Sequence, residues 1–371
     1  MKRFEDPTKS NSESRGSVMQ NPKSEIKWVD EMRTVLVRLS ALGDIVHTWP
    51  LACALREAEP RLHLCWVVEE SFRPLVEGHP AVDSVITTRT RLWRRRPFSH
   101  QTRAEIATLK SRFHELQPDV ALDPQGVLKS AFVTRWTGAP RRVGLARPWR
   151  RERLPGFAYT ETVRGAVGGA HVVDTNLEMV RAVNLPPPQR RPPDGAWLLD
   201  RIGHRFPTSG WSAPYAVVLP GTGGAHKNMA VQALAEVSRG IATALDHDVV
   251  VLWGPGEESR ASAVAAVGGT RASLAPPTDL EELAAVLGGA SLVVGGDTGP
   301  VHLAASFGVP TVAVFLASDW RRNGPLGPRT AVVSGARESS GAPSGSARTL
   351  PLRPVASQEI VSAALDLIDK A

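Results

Sequence analysis

Cysteine is nearly absent: the chain carries only Cys53 and Cys65, too few for a disulfide framework and without the spacing of a metal site. Both lie in apolar stretches, which predicts buried core thiols in a reducing compartment. Long apolar runs are missing too, and none approaches the roughly 18 residues needed to cross a bilayer. The N-terminus, MKRFEDPTKSNSESRGSVMQNPKSE, lacks the apolar centre of a secretory signal, so residues 1–32 read as a disordered extension and the chain is expected to be cytoplasmic. A Walker loop, a Gly-x-Ser-x-Gly elbow, a helix-turn-helix, a zinc finger and an RNA-binding signature are all missing. Acidic residues are missing locally: none interrupts the stretch that holds Arg89, Arg91, Arg94, Arg95, Arg96 and the first residues after it.

What is present is a globular composition with 42% hydrophobic and 22% charged residues, which excludes a disordered or fibrous chain. Its 371 residues suffice for two domains, each with its own core. The formal charge of +7 is unevenly spread. A second arginine cluster, Arg141, Arg142, Arg147, Arg150, Arg151 and Arg153, is relieved only by Glu152. Such clusters suit a partner rich in phosphate or carboxylate, because guanidinium forks bind those groups bidentately. Nucleic acid is the competing partner.

TVLVRLS (34–40) is a short β-branched run that ends in the loop Ala41-Leu42-Gly43-Asp44 and leads into an apolar-periodic stretch: strand, tight turn, helix. HLCWVVEE, VDSVITT and DVALDPQ read as further strands, and AEIATLKSRFHEL and LKSAFVTRW as helices, the latter ending at Gly138. The prolines of LPPPQRRPPDG cannot sit in a helix or a central strand, so 185–210 is read as a linker. The alternation then restarts with YAVVLPG, VQALAEVSRGIATAL, DVVVLWGPG, DLEELAAVLGGA (with Asp279 as N-cap), SLVVGGDTG and PTVAVFLAS. Residues 336–349 read as a mobile loop, and the last helix, within 356–371, as a candidate to pack back on the first domain. The expectation is an α/β protein with parallel sheets in two Rossmann-like domains, 33–184 and 211–355, facing across a cleft.

Ligands of open α/β sheets bind at the carboxyl ends of the strands, where the chemistry-bearing residues collect. Asp44 is open to two roles there, an N-cap and a general base for an attacking hydroxyl. His47, one turn on, is read as structural. Pro220 to Lys227 is a small-residue loop in which Thr222 and the backbone can approach an anion and Lys227 supplies a charge; a flexible turn is the plain alternative. In Gly295-Gly296-Asp297-Thr298-Gly299-Pro300 a strand meets a helix start suited to pyrophosphate, and simple capping by Asp297 or Thr298 is the alternative. His302, one turn in, either orients a phosphate or packs. Glu257 and Glu258 stand where a carboxylate can accept from ribose hydroxyls, or merely complement a helix dipole. Asp246-His247-Asp248 matches a metal-binding DxD pattern but lies at the amino end of a strand and reads as a turn.

VLVRLSALGDIVHTWPLACAL, LCWVVEESF, ALDPQGVLKSA, WGPGEE and GGDTGPVHLAASFGVPTVAVF occur in this order between about Thr34 and Phe315. Together they resemble the lipopolysaccharide heptosyltransferase family, glycosyltransferase family 9. The resemblance implies a GT-B fold, an ADP-heptose donor and inversion at the anomeric carbon, with Asp44 as the base that deprotonates a Kdo hydroxyl. It implies donor binding by Lys227 at a phosphate, by Asp297, Thr298 and Gly299 at the diphosphate, and by Glu257 or Glu258 at the ribose. It assigns the acceptor to Arg91, Arg94, Arg95 and Arg96, with Arg151 from the second cluster. It implies no required cofactor, with Mg2+ admitted only as a counter-ion of the diphosphate. The partners implied are an ADP-sugar, a Kdo-lipid A acceptor and the cytoplasmic face of the inner membrane, without nucleic acid. One departure stands out: the family's Lys-His-Trp-Pro run reads His226-Lys227-Asn228-Met229 here. The rival readings are a GT-B transferase with another donor, a sugar-nucleotide epimerase, and a non-enzymatic polyanion-binding protein.

Overall fold

The computed structural model describes residues 32–168, 170–203, 211, 214–224, 227–335 and 353–369. All but the last residue of the expected extension, and the loop 336–349, lie outside them. Among the described residues twelve strands form two six-stranded sheets. The first contains β1 (Arg33–Val37), β2 (His63–Glu69), β3 (Ser84–Thr88), β4 (Val120–Asp123), β5 (Arg141–Leu145) and β6 (Glu161–Val163). The second contains β7 (Tyr215–Leu219), β8 (Asp248–Val251), β9 (Ala272–Leu274), β10 (Leu292–Gly296), β11 (Thr311–Phe315) and β12 (Thr330–Ser334). Spatial order is β3-β2-β1-β4-β5-β6 in one sheet and β12-β11-β10-β7-β8-β9 in the other. Counted from the first strand of each half, both are the same doubly wound order, and every pairing is parallel.

Helices α1 (Leu42–Val46), α2 (Trp49–Ala58), α3 (Thr90–Arg95), α4 (His100–Leu116), α5 (Leu128–Trp136) and α6 (Val172–Leu177) belong to the first half. Then follow α7 (Ala196–Ile202), α8 (Val231–Leu245), α9 (Glu258–Val267), α10 (Leu280–Gly288), α11 (Gly299–Ser306), α12 (Trp320–Asn323) and α13 (Ser357–Asp369). With helices on both faces, the central strands read as continuous apolar runs: β7 and β11 are buried at every residue. One core, which includes Leu36, Trp66, Leu122, Tyr215, Val293 and Phe315, runs through both halves. Smaller cores lie between β1, β2, α4 and α5 in the first half and under α8 and α13 in the second.

Capping follows the sequence. Asp279 accepts from the Glu281 and Glu282 amides and Glu282 accepts from the Asp279 amide, a reciprocal box that starts α10. Gly138, past the end of α5, takes φ +71°.

Three expectations are corrected. The linker is not irregular throughout: 196–202 is α7, because Leu198 and Ile202 bury an apolar face and Trp197 packs edge-on against Trp49 and His79. Arg201 of α7 donates to the Pro74 carbonyl and pairs with Glu281, so the segment ties the halves together. Helix α13 does not return to the first domain. It packs on α8, β11 and β12, with Ile360 and Ala364 buried there and the Ser357 hydroxyl 2.8 Å from Glu236. Cys53 is exposed on α2, whereas Cys65 is fully buried and its thiol is pushed up to about 11 by burial.

Candidate active site

Each sheet has a switch point where consecutive connections leave in opposite directions, between β1 and β4 in the first and between β7 and β10 in the second. The four connections at these points carry Asp44 and most of the expected donor-binding residues. After β1 the chain enters α1 with Asp44; after β4 it enters α5 with Lys129. After β7 comes the loop with Thr222 and Lys227; after β10 come Asp297, Thr298 and α11.

The two switch points meet through glycine. A Cβ on Gly43 would lie 2.6 Å from Cδ2 of His302, and one on Gly299 would lie 2.7 Å from the Leu42 Cβ and 3.2 Å from the Gly43 nitrogen. The starts of α1 and α11 therefore abut as only glycines allow. Asp44 is not the N-cap of α1. That position is Ala41, and the Asp44 carboxylate reaches back to within 3.3 Å of the Ala41 nitrogen. It is half-buried. The Gln125 side-chain oxygen accepts from the Leu39 amide at 2.9 Å, which fastens the β4–α5 loop to the β1–α1 loop. Beneath them Arg38 is buried, donating to Thr48 and Asn176 at 3.0 Å each. Burial pulls its pKa below the usual value, while Asp44 and Asp123 oppose that shift.

On the second half the charges are already matched. Lys227 Nζ lies 2.7 Å from Asp297 Oδ2, which also accepts from Ser318 at 2.6 Å. Burial works against the charge on Asp297, but the hydrogen bonds from Lys227 and Ser318 and the nearby ammonium outweigh it and hold the carboxyl below its ordinary value. Thr222 packs against Gly296, and its hydroxyl stands 2.7 Å from Asn228 Oδ1 and 2.8 Å from the Gly224 carbonyl. Thr298 occupies the N-cap of α11 without a side-chain cap bond. Its amide and that of Gly299 have no backbone acceptor among the described residues. Simple capping therefore does not account for this loop. Glu257 turns inward, accepting from the Gly254 amide at 3.0 Å and lying against Gly221 so closely that a Cβ there would overlap it. Glu258 is exposed on the first turn of α9.

Three histidines gather where the halves meet. The His47 ring is 4.4 Å from His302 and 5.1 Å from His171. Burial depresses all three, with His171 brought to about 4. His171 Nδ1 accepts from the Val173 amide, so Nε2–H donates across the cleft to the Gly324 carbonyl at 2.9 Å. His302 is buried, and among the described residues its Nδ1 has no hydrogen-bond partner, nor does His47 Nε2. Sequence reading placed His47 and His302 singly; their meeting with His171 is long-range and left no local signal.

The arginine clusters divide. In the first, Glu69 at the end of β2 accepts from the Thr90 and Arg91 amides, satisfying the start of α3 and aiming its last turn, with Arg94 and Arg95, outward. Arg91 lies over the Phe72 ring. Lys129, which sequence reading did not single out, contacts the Ser40 hydroxyl beside Asp44. Its pKa is lowered first by burial and then by Arg91 and Arg94, against the pull of Glu69 and Asp44. Arg91 and Arg94 are thus near enough to Lys129 to be felt by it. Arg95 and Arg96 are exposed. In the second cluster Arg141 is bound bidentately by Glu161, and Arg142 donates to the carbonyls of Ala139 and Ala158. These two are strand residues with structural partners. Arg150 stacks over Tyr159, while Arg151 is exposed and near enough to Arg38 to be felt by it. Among the described residues no group of His, Cys, Asp or Glu could hold a metal ion. Asp246 and His247 turn away from the cleft, Asp246 pairing with Arg271 and His247 with Ser291.

The family model described as glycosyltransferase family 9 (heptosyltransferase) matches residues 106–346. Lipopolysaccharide heptosyltransferase 1 of Pseudomonas aeruginosa is 34% identical over 284 residues, 76% of this chain and 78% of that protein. Lipopolysaccharide heptosyltransferase 1 of Escherichia coli K12 is 30% identical over 312 residues, 83% of this chain and 95% of its own. The solved structure of E. coli heptosyltransferase WaaC with ADP superposes with a TM-score of 0.72 at 28% identity, over 91% of this chain and 99% of that one. The two facing doubly wound sheets are thus the GT-B architecture of that enzyme. Taken with the matched length and identities, they establish that the chain belongs to glycosyltransferase family 9, the lipopolysaccharide heptosyltransferases, and is a glycosyltransferase.

Proposed function

We propose that the enzyme transfers heptose from ADP-heptose to a Kdo residue of the lipopolysaccharide inner core, with inversion and with Asp44 as general base. The observation that carries this reading is the glycine-on-glycine contact that sets Asp44 at the start of α1 beside the Asp297–Gly299 loop at the start of α11. A base and an anion-binding loop then face one reacting centre from opposite domains. The Asp44 carboxylate takes the proton of the acceptor hydroxyl as its oxygen bonds to the anomeric carbon. The bond from that carbon to the diphosphate oxygen breaks, and ADP leaves with the electron pair. Lys227 and the free amides of Thr298 and Gly299 stabilise the charge that develops on the departing phosphate. Asp297 keeps Lys227 in place, Thr222 shapes the loop beside it, and buried His302 offers a ring nitrogen, Nδ1, without a partner among the described residues. Glu257, rather than exposed Glu258, is the ribose ligand, because its side chain lies at the ends of β7 and β8.

Arg91, Arg94 and Lys129 bind the acceptor's carboxylate and phosphate groups, with Arg151 on the other side of Arg38; Arg95 and Arg96 extend this field outward. Such an acceptor is lipid-linked, so the enzyme works as a peripheral protein at the cytoplasmic face of the inner membrane. E. coli heptosyltransferase WaaC has been solved with ADP-2-deoxy-2-fluoro heptose, which supports the choice of donor. The test is to follow ADP release from ADP-heptose with and without Kdo-bearing lipid A. Acceptor-dependent release is expected. Equal release in both, or isomerisation of the donor alone, would replace this reading with hydrolysis or epimerisation.

A further inference from the structure

The helix that brings Lys129 to the cleft has an unusual outer face. Its buried side is Ser130, Ala131, Val133 and Thr134, and its opposite side is Leu128, Phe132, Arg135 and Trp136. Phe132 is 43% exposed and its ring lies 5.4 Å from that of Phe157, itself 53% exposed. Leu154, on the same 3-10 turn as Phe157, is 71% exposed. The Phe132 ring also lies 6.0 Å from that of half-buried Trp136, which backs onto the buried Trp93 of α3 at 6.3 Å. A contiguous apolar strip of this kind, unlike singly scattered side chains, marks an interaction surface.

Its rim is cationic. Lys110 sits over the Trp136 ring, Arg135 follows Phe132 by one turn, and Arg153 immediately precedes the turn that bears Leu154 and Phe157. Arg94 and Arg95 lie on α3 beside Trp93. Among the described residues Glu70 and Glu105 pair with Arg89, Glu161 pairs with Arg141, and Glu152 accepts from the Leu128 amide at 2.7 Å; none of these carboxylates pairs with Arg94, Arg95, Arg135 or Arg153. Apolar side chains ringed by unmatched cations complement the surface of an anionic bilayer, where rings enter the acyl boundary and arginines meet headgroup phosphates. No helix among the described residues is long and apolar enough to cross a membrane, so attachment by this face would be interfacial.

We propose that the outer face of α5, with the Leu154–Ala158 turn, is the surface by which this enzyme docks on an anionic phospholipid bilayer. This rests on the reading above only in that a lipid-linked acceptor gives docking a purpose. Because Lys129 in the first turn of α5 reaches the Ser40 hydroxyl in the loop that carries Asp44, a bilayer on the outer face of α5 would present headgroup-linked sugars beside that loop.

The experiment is flotation of the full chain with acceptor-free vesicles of phosphatidylglycerol and phosphatidylcholine, against phosphatidylcholine alone. The chain is expected to float with the anionic vesicles and to be released by high salt. Joint Phe132→Ser, Leu154→Ser and Phe157→Ser should cut binding more than tenfold. Leu154→Ser alone, at a highly exposed site, reports the same loss in smaller degree should the triple variant unfold. Arg135→Gln with Arg153→Gln should weaken binding about fivefold for each arginine. With a water-soluble, deacylated acceptor the Leu154→Ser enzyme should turn over like wild type, whereas transfer to vesicle-borne acceptor should fall. Since the flotation vesicles hold no sugar acceptor, failure of the transfer reading leaves this result standing. Absence of anionic-vesicle binding, binding insensitive to these substitutions, or a dimer in solution that Leu154→Ser dissolves would overturn the proposal.

Discussion

The two walls of the cleft share a strand order and differ in how their charges are settled. On the second half Lys227 is matched by Asp297, Asp297 also takes Ser318, and Thr222 is held by Asn228 and Gly224. On the first half Arg94, Lys129 and Arg151 carry no ion pair among the described residues, and Lys129 feels both the arginines Arg91 and Arg94 and the half-buried carboxylate of Asp44. A preorganised wall binds a ligand with little reorganisation, which suits a compact nucleotide diphosphate. An unmatched cationic wall repels itself until an anion arrives, which suits a large, multiply charged acceptor. The difference explains why one fold used twice can hold two unlike substrates: the sheets supply position, and the loops at each switch point supply charge.

The largest effect that would break this division is at Asp44. Asp44→Asn should lower kcat by about 10²–10⁴-fold while the unfolding midpoint stays near that of wild type; near-normal turnover would remove the base assignment. The contact between the walls is tested by Gly43→Ala, whose Cβ would fall 2.6 Å from the His302 ring. Displacing that ring or parting the helix starts should cost about 1–3 kcal/mol by urea unfolding and reduce kcat/KM, and an unchanged enzyme would show that the walls need not touch. Acidification probes the buried histidines. His171 and His79 are each held near 4 by burial, below their unfolded value, so the unfolded chain binds more protons as pH falls from about 6.5 toward 4. Stability should therefore be full above that window and decline through it, by up to about 3 kcal/mol per histidine. Replacing His79 by Asn, whose side-chain oxygen can still accept from the Ala81 amide, should flatten the decline in a pH series of denaturant melts. The smallest effect is on the cationic wall. Arg94→Gln should raise KM for the acceptor severalfold, equivalent to about 1 kcal/mol for an exposed charge contact, and leave the KM for ADP-heptose unchanged.

Much of the fold was legible because its central strands are buried on both faces and read as unbroken apolar runs, as in YAVVL and TVAVF. Strands β5 and β6 were not recognised. RRVGL begins with two arginines whose partners, Glu161 and the Ala158 carbonyl, lie 16 to 20 residues away, so a structural edge pair read as part of a ligand-binding cluster. Helix α7 was hidden by the prolines before it, although its AWLLDRI pattern is apolar on one face. The order of the site loops was readable, since glycine, threonine and aspartate mark strand-to-helix turns. What they touch was not: Lys129 meets Ser40 across 89 residues, and His47, His171 and His302 come together from three separate segments. The choice between Glu257 and Glu258 likewise depends on which side chain lies against Gly221, a contact no spacing encodes.

Division of labour between the walls is tested most directly by calorimetric titration of ADP into two variants. One is Asp44→Asn; the other is Lys227→Met combined with Asp297→Asn, so that no carboxylate is left unpaired. The account predicts that Asp44→Asn binds ADP within about twofold of wild type, while loss of the Lys227 charge weakens ADP by about tenfold or more. Equal losses in both variants, or a loss confined to Asp44→Asn, would contradict it.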